Sequence, residues 1–342
     1  MEKTAIVILN YNGEKHLRQF LPSVISHSAD CRIIVADNCS TDNSMDYVIK
    51  NHPSVEIIKL SSNGGYSLGY NEALRQVEAQ YYVLLNSDVE VTENWVTPII
   101  DMMDSDPDIA AAQPKILSYH QKSEFEYAGA AGGFIDSLGY PFCRGRIFNT
   151  LEKDSGQYND VKQVFWATGA CLFVRSDIFH QMEGFDPDFF AHMEEIDLCW
   201  RINSAGHKVM YNGNSTVYHV GGGTLHKSNP RKTYLNFRNG LALIYKNYST
   251  SELYIKMPLR ILLDAIASVK FMLFDTFADG VAVMRAHIDF LKELKGNYKK
   301  RKAVQQKKIR QADTICRGSV VFEYFIKGKR KFKELKMCGN DQ

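Results

Sequence analysis

The sequence predicts an α/β protein built on a mostly parallel sheet with helices on both faces. Up to about residue 110, short runs rich in β-branched and aromatic residues alternate with segments of helical periodicity. Parallel strands need crossover connections, so repeated strand–helix–strand units indicate a parallel sheet. The predicted strands are TAIVILN, RIIVAD, VEIIKL and YYVLLN, and the predicted helices contain HLRQFLPSVISH, NSMDYVIKNH and YNEALRQVEA.

The remaining chain divides into three parts. Residues 111–165 are rich in Gly and aromatic residues and predict loops and mixed strands. The next part, 166–246, predicts strands near ACLFVR and HKVMYNG around a helix that starts near Met193. From Ser251 onward the periodicity is helical and lysine becomes common. We therefore expect one α/β domain over residues 1–246 and a helical, basic region over residues 247–342.

The composition excludes several classes of protein. The 342 residues are 45% hydrophobic and 12% aromatic, which is enough for a sizeable core. Seven cysteines without C-x-x-C spacing indicate neither a disulfide framework nor a zinc site, and hence a reducing cytosol. The first residues suit a β-strand better than a signal peptide. No uncharged apolar stretch reaches about 18 residues, so we expect no membrane-spanning helix.

Polar residues follow the predicted strands, at the edge where open parallel sheets bind ligands. The second strand ends in Asp37, whose carboxylate either caps the next helix or accepts a hydrogen bond from a base ring N–H. Uracil, thymine and guanine offer that donor, whereas cytosine does not. The segment NGGYSLGYN is not a G-x-G-x-x-G motif. It is either a plain strand-to-helix turn or a turn whose glycines and helix start favour an anion.

The fourth strand ends in Asn86, Ser87 and Asp88. This triplet forms either an Asx turn or a metal site, because a carboxylate with small neighbours can hold Mg²⁺ or Mn²⁺ and leave positions for diphosphate oxygens. His219, after a later predicted strand, is either a structural histidine or a second group of that metal site.

A second acidic cluster lies in GFDPDFFAHMEEIDLCWRINSAGH, residues 184–207. If a helix starts near Met193, then Glu194, Glu195 and Asp197 occupy its first turn, where the helix dipole favours negative charge. Three carboxylates beside aromatic residues also suggest a base held near a pocket.

Taken in order, these motifs resemble the family 2 glycosyltransferases, particularly the bacterial rhamnosyltransferase-like branch. The resemblance covers about residues 4–240. It implies a GT-A fold, which is Rossmann-like, together with a nucleotide-sugar donor, a divalent cation and inversion at the anomeric carbon. The motifs that carry it are NYNG, VADNCSTDNS, NGGYSLGYN, LLNSDV, GACLFVRSDIF, GFDPDFFxxxEEIDLCWR and VYH.

The resemblance also implies roles for individual residues. Asp88 would be the metal ligand with His219 beside it, although Asn86 replaces a possible first aspartate of the family motif. Glu195 would be the general base, in a Glu194–Glu195 pair where the family often has Glu–Asp, and Asp197 the acid that follows. Residues 1–110 would bind the nucleotide and residues 111–246 the acceptor. The expected nucleotide-sugar contacts are Asn10, Tyr11, Asn12, Asp37, Asn38, Asn63, Gly64, Gly65, Asn71, Asn86 and Ser87, and the expected acceptor contacts are Trp166, Thr168 and Gly169.

The C-terminal region predicts either an interfacial membrane contact or helices packed on the catalytic domain. Residues 285–336 hold 17 Lys or Arg against 5 Asp or Glu, which suits an anionic lipid surface. RNA binding is less favoured, since no recognised module accompanies the charge. Residues 258–294 are apolar but carry charges that a spanning helix would not tolerate, at Arg260, Asp264, Lys270 and Asp275.

The sequence therefore predicts an inverting glycosyltransferase that uses a UDP- or dTDP-sugar and a divalent cation. Its acceptor would be a saccharide or lipid-linked saccharide of the cell surface, reached at the cytoplasmic face of the membrane. We expect no nucleic-acid partner and leave a homo-oligomer open. One alternative is a sugar nucleotidyltransferase, which needs a glycine-rich, basic N-terminal loop that NYNGEKHL lacks. The other is a non-catalytic nucleotide-sugar-binding protein, which needs no base cluster.

Overall fold

The computed structural model describes residues 2–221 and 229–338. The last glycines of the run after His219, Gly222 and Gly223, lie outside the described residues. Through residue 105, strands and helices alternate in the predicted order. The elements are β1 (Glu2–Asn10), α1 (Glu14–Ser26), β2 (Arg32–Asp37), α2 (Ser44–Asn51), β3 (Glu56–Lys59), α3 (Gly65–Leu74), β4 (Ala79–Asn86), β5 (Val89–Val91) and α4 (Thr97–Ser105).

The first strands form the predicted parallel sheet. Strand β1 lies between β2 and β4 and is parallel to both, and β3 continues the sheet beyond β2. Apolar residues of β1, β2 and β4 are buried on both faces, as expected for a sheet covered by helices on each side. Helix α1 covers one face with Leu17, Phe20, Leu21 and Val24 at helical spacing.

The second ordered block extends the same sheet. The predicted strands at ACLFVR and HKVMYNG and the helix near Met193 are confirmed by β12 (Cys171–Arg175), β13 (Lys208–His219) and α6 (Glu194–Ser204). Strand β12 runs antiparallel to β4, and β13 runs parallel to β6. In the described chain this sheet has nine strands in the order 11-13-6-12-4-1-2-3, with β5 paired to β13. The elements are β6 (Ile109–Ser118), β7 (Gly133–Ile135), β8 (Pro141–Cys143), β9 (Arg146–Ile147), β10 (Thr150–Leu151), β11 (Val161–Val164), β12 (Cys171–Arg175), α5 (Ser176–Gln181), α6 (Glu194–Ser204) and β13 (Lys208–His219).

Helices make up most of the C-terminal region. Helix α7 packs against α6, α9 and α10, and α8 packs against α9. Within the two described ranges, no helix combines the length and apolarity needed to cross a bilayer. The division of the chain into nucleotide-binding, acceptor-binding and basic parts remains a prediction. The helices are α7 (Pro230–Asn247), α8 (Thr250–Phe274), α9 (Phe277–Lys292), α10 (Leu294–Lys307) and α11 (Val320–Phe325).

One sequence-based expectation is wrong: two of the seven cysteines form a disulfide. Cys316 bonds to Cys338, and both lie in the C-terminal segment that folds back over the small sheet of β7–β10. The amide of Cys316 donates to the carbonyl of Ile135 at 2.9 Å, which fixes the first sulfur in place. Spacing along the chain does not reveal such a pair, because tertiary folding brings the two residues together. The cysteines therefore no longer argue for a reducing compartment.

Candidate active site

The carboxyl ends of β1, β2 and β4 meet at one edge of the sheet. Their register places Asn10 beside Asp37 and Leu9 beside Asn86. The amide nitrogen of Asn10 donates to the Ser44 hydroxyl at 3.0 Å. Its buried Oδ1 has no hydrogen-bond partner among the described residues. A buried, unpaired amide oxygen at a ligand-facing edge can accept a hydrogen bond from a donor substrate.

The turns after β1 and β2 are tied together. Asn12 has a left-handed backbone, with φ of 50°, and its Oδ1 accepts the Thr41 amide at 2.7 Å. Asp37 accepts the Ser40 amide at 3.2 Å, so it stabilises its own turn and does not cap α2. The Tyr11 ring is 46% exposed and is free to face a ligand at this edge.

The start of α3 is already capped by protein groups. Asn63 Oδ1 accepts both the Asn38 side-chain amide and the Gly65 N–H, at 3.1 and 3.0 Å. The N–H groups of Tyr66 and Ser67 donate to the carbonyl of Phe190 at 2.7 and 3.2 Å. In this conformation the protein itself uses these amides, and contact of Gly64 and Gly65 with the nucleotide sugar stays a prediction.

Asn71 has a structural role in the described conformation. Its side chain is buried, donates to the Phe185 carbonyl at 2.8 Å and accepts the Phe185 amide at 2.9 Å. Both functions of the amide are thereby used to join α3 to the segment before α6. This geometry does not support the predicted contact with the nucleotide sugar.

Asp88 and His219 lie together at the predicted metal site. His219 Nε2 is 3.2 Å from Asp88 Oδ1, and His219 Nδ1 is 3.2 Å from Glu126 Oε2. Burial disfavours the imidazolium, but the two carboxylates outweigh it and raise the pKa of His219 to about 10. Burial likewise opposes ionisation of Asp88, yet His219 holds the pKa of Asp88 below its ordinary value. Asn86 and Ser87, which complete the triplet, are half-buried beside them.

A divalent cation would displace the proton that His219 shares with Asp88, and it would be held partly by the substrate. Two ligands at about 2.1 Å and at right angles are about 3.0 Å apart, close to the observed separation of Asp88 and His219. Ligating histidines usually direct the other ring nitrogen at a carboxylate, as His219 does toward Glu126. No three His, Cys, Asp or Glu side chains of the described ranges form a ready-made metal site. A bound ion would therefore have two protein ligands and take the remainder from the donor diphosphate and water.

Glu194 and Glu195 form the predicted base cluster at the first turn of α6. Burial raises the pKa of Glu195 to about 7, while backbone amides including that of Gly169 oppose the rise. Burial and the neighbouring Glu195 raise the pKa of Glu194 well above its ordinary range. In each side chain Oε2 has no hydrogen-bond partner within the described chain. An unpaired carboxylate with a pKa near 7 is suited to accept a proton.

A strained turn places this cluster. Phe190, His192 and Met193 have positive φ values of 61, 70 and 72°, each at a cost of about 1–3 kcal/mol for a residue with a side chain. Asn239 of α7 holds the turn, since its Nδ2 lies 3.0, 3.0 and 2.8 Å from the carbonyl oxygens of Phe189, Ala191 and His192. Asn239 is fully buried. We infer that α7 fixes where α6 begins and so where Glu195 lies.

The Asp88–His219 pair and the Glu194–Glu195 pair lie at the same edge of the sheet. The Asn86 amide donates to the Ala170 carbonyl at 3.0 Å, and the Gly169 amide that precedes it lies beside the Glu195 carboxylate. Tyr66 also donates its hydroxyl to the Gly169 carbonyl at 2.7 Å. The short segment 169–170 therefore lies between the end of β4, which precedes Asp88, and the Glu195 carboxylate.

Asp197, predicted as catalytic, faces the other side of α6. Two residues along a helix turn about 200°, so Asp197 lies opposite Glu195. Its carboxylate is fully buried, 3.0 Å from Arg201 Nε and 3.1 Å from Lys246 Nζ, and it accepts the Asn247 amide at 2.9 Å. Burial opposes ionisation, but the two cations lower the pKa of Asp197. In the described structure Asp197 belongs to a buried network of ion pairs, and its predicted catalytic role stays a prediction.

Two of the three predicted acceptor contacts are also structural. Trp166 is buried and donates its Nε1–H to the Phe134 carbonyl at 2.9 Å. Thr168 is buried, donates its amide to Gln113 at 2.9 Å and accepts the Ala170 amide at 3.2 Å. The Trp166 N–H is therefore used within the protein, and the Thr168 hydroxyl oxygen is buried against the Ala170 amide. Only Gly169, beside Glu195, remains at the candidate site.

The sequence did not point to Glu126, Tyr66 or Asn239. Glu126 lies in a loop far along the chain from His219, and no motif marks it. Tyr66 was part of a recognised motif but was not assigned a role. Asn239 lies in a helical pattern in which an asparagine usually indicates an exposed position. The register of the helix places Asn239 on the inward face, and this register is the one sequence feature that could have identified Asn239.

Solved glycosyltransferases share this architecture. GalNAc-T7, crystallised with UDP, GalNAc and Mn²⁺, matches 72% of this chain at a TM-score of 0.54 and 15% identity, and this chain covers 48% of it. S. aureus TarS 1–349 in complex with UDP-GlcNAc matches 85% of this chain and 81% of its own, at a TM-score of 0.54 and 14% identity. At these identities the likeness establishes the fold, and the fold is that of the GT-A glycosyltransferases.

The sequence comparison defines the family. Residues 5–180, slightly more than half of the chain, match the glycosyl transferase family 2 profile, and the chain belongs to this family. It is therefore a glycosyltransferase, and the two alternative classes are not favoured. The N-acetylglucosaminyl-diphospho-decaprenol L-rhamnosyltransferase of Mycobacterium tuberculosis is 26% identical over 230 residues, 63% of this chain and 75% of the relative. Rhamnosyltransferase WbbL of Escherichia coli is 24% identical over 215 residues, 60% of this chain and 79% of the relative.

Proposed function

We propose that the protein is an inverting glycosyltransferase that moves a sugar from a UDP- or dTDP-sugar to a saccharide or lipid-linked acceptor in cell-surface polysaccharide synthesis. The observation that supports this proposal is that segment 169–170 contacts both the end of β4, next to Asp88 and His219, and the unpaired Glu195 carboxylate. We infer that the two groups face one crevice. A cation-binding corner and a proton acceptor are the two functions that inverting transfer requires.

The donor would lie along the ends of β1, β2 and β4. Asp37 and the exposed Tyr11 ring would contact the base, and the unpaired oxygen of Asn10 would accept a hydrogen bond from the nucleotide. Asp88 and His219 would hold a divalent cation, which neutralises the charge that grows on the leaving diphosphate. Two solved relatives by fold carry Mn²⁺ in their crystals, GalNAc-T7 and a mannosyltransferase of Pyrobaculum calidifontis, which supports Mn²⁺ as the first ion to test.

The acceptor would approach from the side of α6. Inversion requires an acceptor hydroxyl to attack the anomeric carbon from the face opposite the leaving group. Glu195 Oε2, which has no partner in the described ranges, would take the proton of that hydroxyl. Burial and the neighbouring Glu195 raise the pKa of Glu194 further, so Glu194 would stay protonated while Glu195 acts as the base.

The names of the relatives guide the choice of substrates. A relative that acts on a decaprenol diphosphate-linked sugar supports a lipid-linked acceptor, and the rhamnosyltransferase names support an L-rhamnosyl donor as the first to test. We also propose that the protein works at the inner membrane surface, where such an acceptor would be available. Cytoplasmic location and homo-oligomerisation stay predictions.

A panel of nucleotide sugars tests this proposal. Each is added with Mn²⁺, and the melting temperature is compared with that in Mn²⁺ plus EDTA. A ligand at 100 times its Kd raises the free energy of unfolding by about 2.7 kcal/mol, so one donor should stabilise the fold in a metal-dependent way and then support transfer. If no donor does either, the proposed function is wrong.

A further inference from the structure

Helix α8 has its polar residues inside and its apolar residues outside. The buried residues along its length are Arg260, Asp264 and Ser268, spaced four apart on one face. The outward face is apolar except for Thr250, Ser251 and Lys270. This polarity is the reverse of that of a helix packed on a soluble core. The exposed apolar residues of α8 are Tyr254, Ile255, Pro258, Leu259, Ile261, Leu262, Ala265, Ile266, Val269, Leu273 and Phe274.

Hydrogen bonds to the inner face fix this orientation. Arg260 Nε donates to Asp264 at 2.9 Å, and Arg260 also donates to the Gly139 carbonyl at 3.1 Å. Asp264 also accepts the Tyr140 hydroxyl at 2.7 Å. Ser268 donates to the Gly280 carbonyl at 2.8 Å. Rotating α8 to bury its apolar face would separate a buried ion pair from its partners, at a large cost.

Helix α9 continues the outward apolar surface. Its inner residues, including Val283 and Phe290, are buried, whereas its outward residues are large and apolar. Phe274 and Phe277, on either side of the connecting turn, are both strongly exposed. Soluble monomers rarely expose an apolar surface of this extent unless it contacts something. The outward apolar residues of α9 are Phe277, Val281, Met284, Ile288 and Leu291.

We propose that the α8–α9 hairpin docks on an anionic lipid bilayer, with its outward face at the boundary between head groups and acyl chains. The cations of the hairpin itself are paired with carboxylates, Lys270 with Asp275, and Arg285 and Lys292 with Asp289. Helix α10, which follows α9 directly, adds exposed lysines for which the described chain shows no ion pair, at Lys295, Lys299 and Lys302. Cations beside an apolar helical face are typical of interfacial helices on anionic lipid. The inference deepens the membrane-surface part of the proposed function.

The hairpin would make the apolar part of this contact, and the exposed lysines of α10 the ionic part. Some of the positive charge in α10 is neutralised within the protein, since Lys300 contacts Asp186 and Asp188, and Lys307 contacts Glu183. Arg301 is turned inward and donates to the Tyr248 carbonyl at 2.6 Å. The predicted polybasic anchor is thereby narrowed to the exposed lysines of α10 together with the apolar face of α8 and α9.

Cosedimentation with vesicles tests the proposal without donor or acceptor, so its result is independent of transfer. The full chain is mixed with phosphatidylcholine vesicles with or without phosphatidylglycerol. The variant Leu262→Ser/Ile266→Ser/Leu273→Ser should bind at least roughly tenfold more weakly, because three exposed side chains no longer enter the bilayer. The matched control is Ile49→Ser on α2, since Ile49 and Ile266 are 56% and 57% exposed. Circular dichroism and the melting temperature confirm that each variant folds.

We expect tight binding only to vesicles that contain phosphatidylglycerol, and an unchanged Ile49→Ser control. The proposal is overturned if the wild-type chain sediments with neither vesicle, or if the triple variant binds as well as the wild type. It is also overturned if analytical ultracentrifugation shows a lipid-independent dimer that the triple variant dissociates, because the face would then belong to a second copy.

Discussion

Glu195 and Asp197 are two residues apart on α6 but occupy opposite environments. Glu195 faces the crevice with an unpaired oxygen, and burial raises its pKa to about 7. Asp197 faces the core between Arg201 and Lys246, and those cations lower its pKa. The contrast teaches that an acidic cluster in a sequence contains both kinds of carboxylate. Whether a carboxylate is available for chemistry depends on whether a cation on a neighbouring helix is paired with it.

The largest effect on stability should follow from removing Asp197. In Asp197→Asn, Lys246 and Arg201 lose a buried counter-charge, which should lower the free energy of unfolding by about 3–5 kcal/mol. Urea unfolding at pH 7 measures the change. The control is Asp188→Asn, because Asp188 makes an exposed contact with Lys300 and its loss should cost less than about 1 kcal/mol. If the two variants lowered the free energy of unfolding equally, the proposed difference between a buried and an exposed carboxylate would be wrong.

Asn239 tests whether the strained turn matters for catalysis. Asn239→Ala removes the hydrogen bonds to three carbonyls of the turn, so the start of α6 should shift. A displacement of about 1 Å can cost roughly a hundredfold in rate. We expect kcat to fall by about that factor and the pH profile of kcat to move, because the burial of Glu195 changes.

Asn236→Ala is the control, since Asn236 lies on the same helix and bonds only to the Lys232 carbonyl among the contacts described. A loss of melting temperature in Asn239→Ala with an unchanged pH profile would indicate a structural role alone.

Glu195→Gln should change stability less than Asp197→Asn does, and in the opposite direction. The folded-state pKa of Glu195, about 7, lies above the ordinary 4.5. The folded state therefore holds the proton more tightly, and the free energy of unfolding falls as the pH rises from 4.5 to 7. Above that range the glutamine variant should be more stable than the wild type by about 1–3 kcal/mol. Melting temperatures at pH 5 and pH 8 check this, and a variant less stable than the wild type at pH 8 would contradict it.

The strands and helices could be predicted because each is determined mainly by the residue pattern within its own segment. Alternation of β-rich and helical runs gave the strands of the parallel half, and polar residues at their ends located Asp88, Asp37 and Asn10 at one edge. What the sequence could not predict depends on contacts between distant segments. Glu126 reaches His219 and Cys316 pairs with Cys338 only after folding. Asn71 and Trp166 were predicted as site residues, but their side chains donate to backbone carbonyls of distant residues, and Thr168 Oγ1 accepts the Ala170 amide.

We propose that Asp88 binds the divalent cation and that Glu195, in the same crevice, is the general base. The direct test measures two quantities in Asp88→Asn and in Glu195→Gln: the metal-dependent rise in melting temperature and the rate of sugar transfer. The donor is whichever nucleotide sugar stabilises the wild type with Mn²⁺. We predict that Asp88→Asn loses the metal-dependent stabilisation and transfer together. Glu195→Gln should keep the stabilisation while transfer falls by about 10² to 10⁴. Near-normal transfer by Glu195→Gln, or metal-dependent donor binding that survives in Asp88→Asn, would contradict the account.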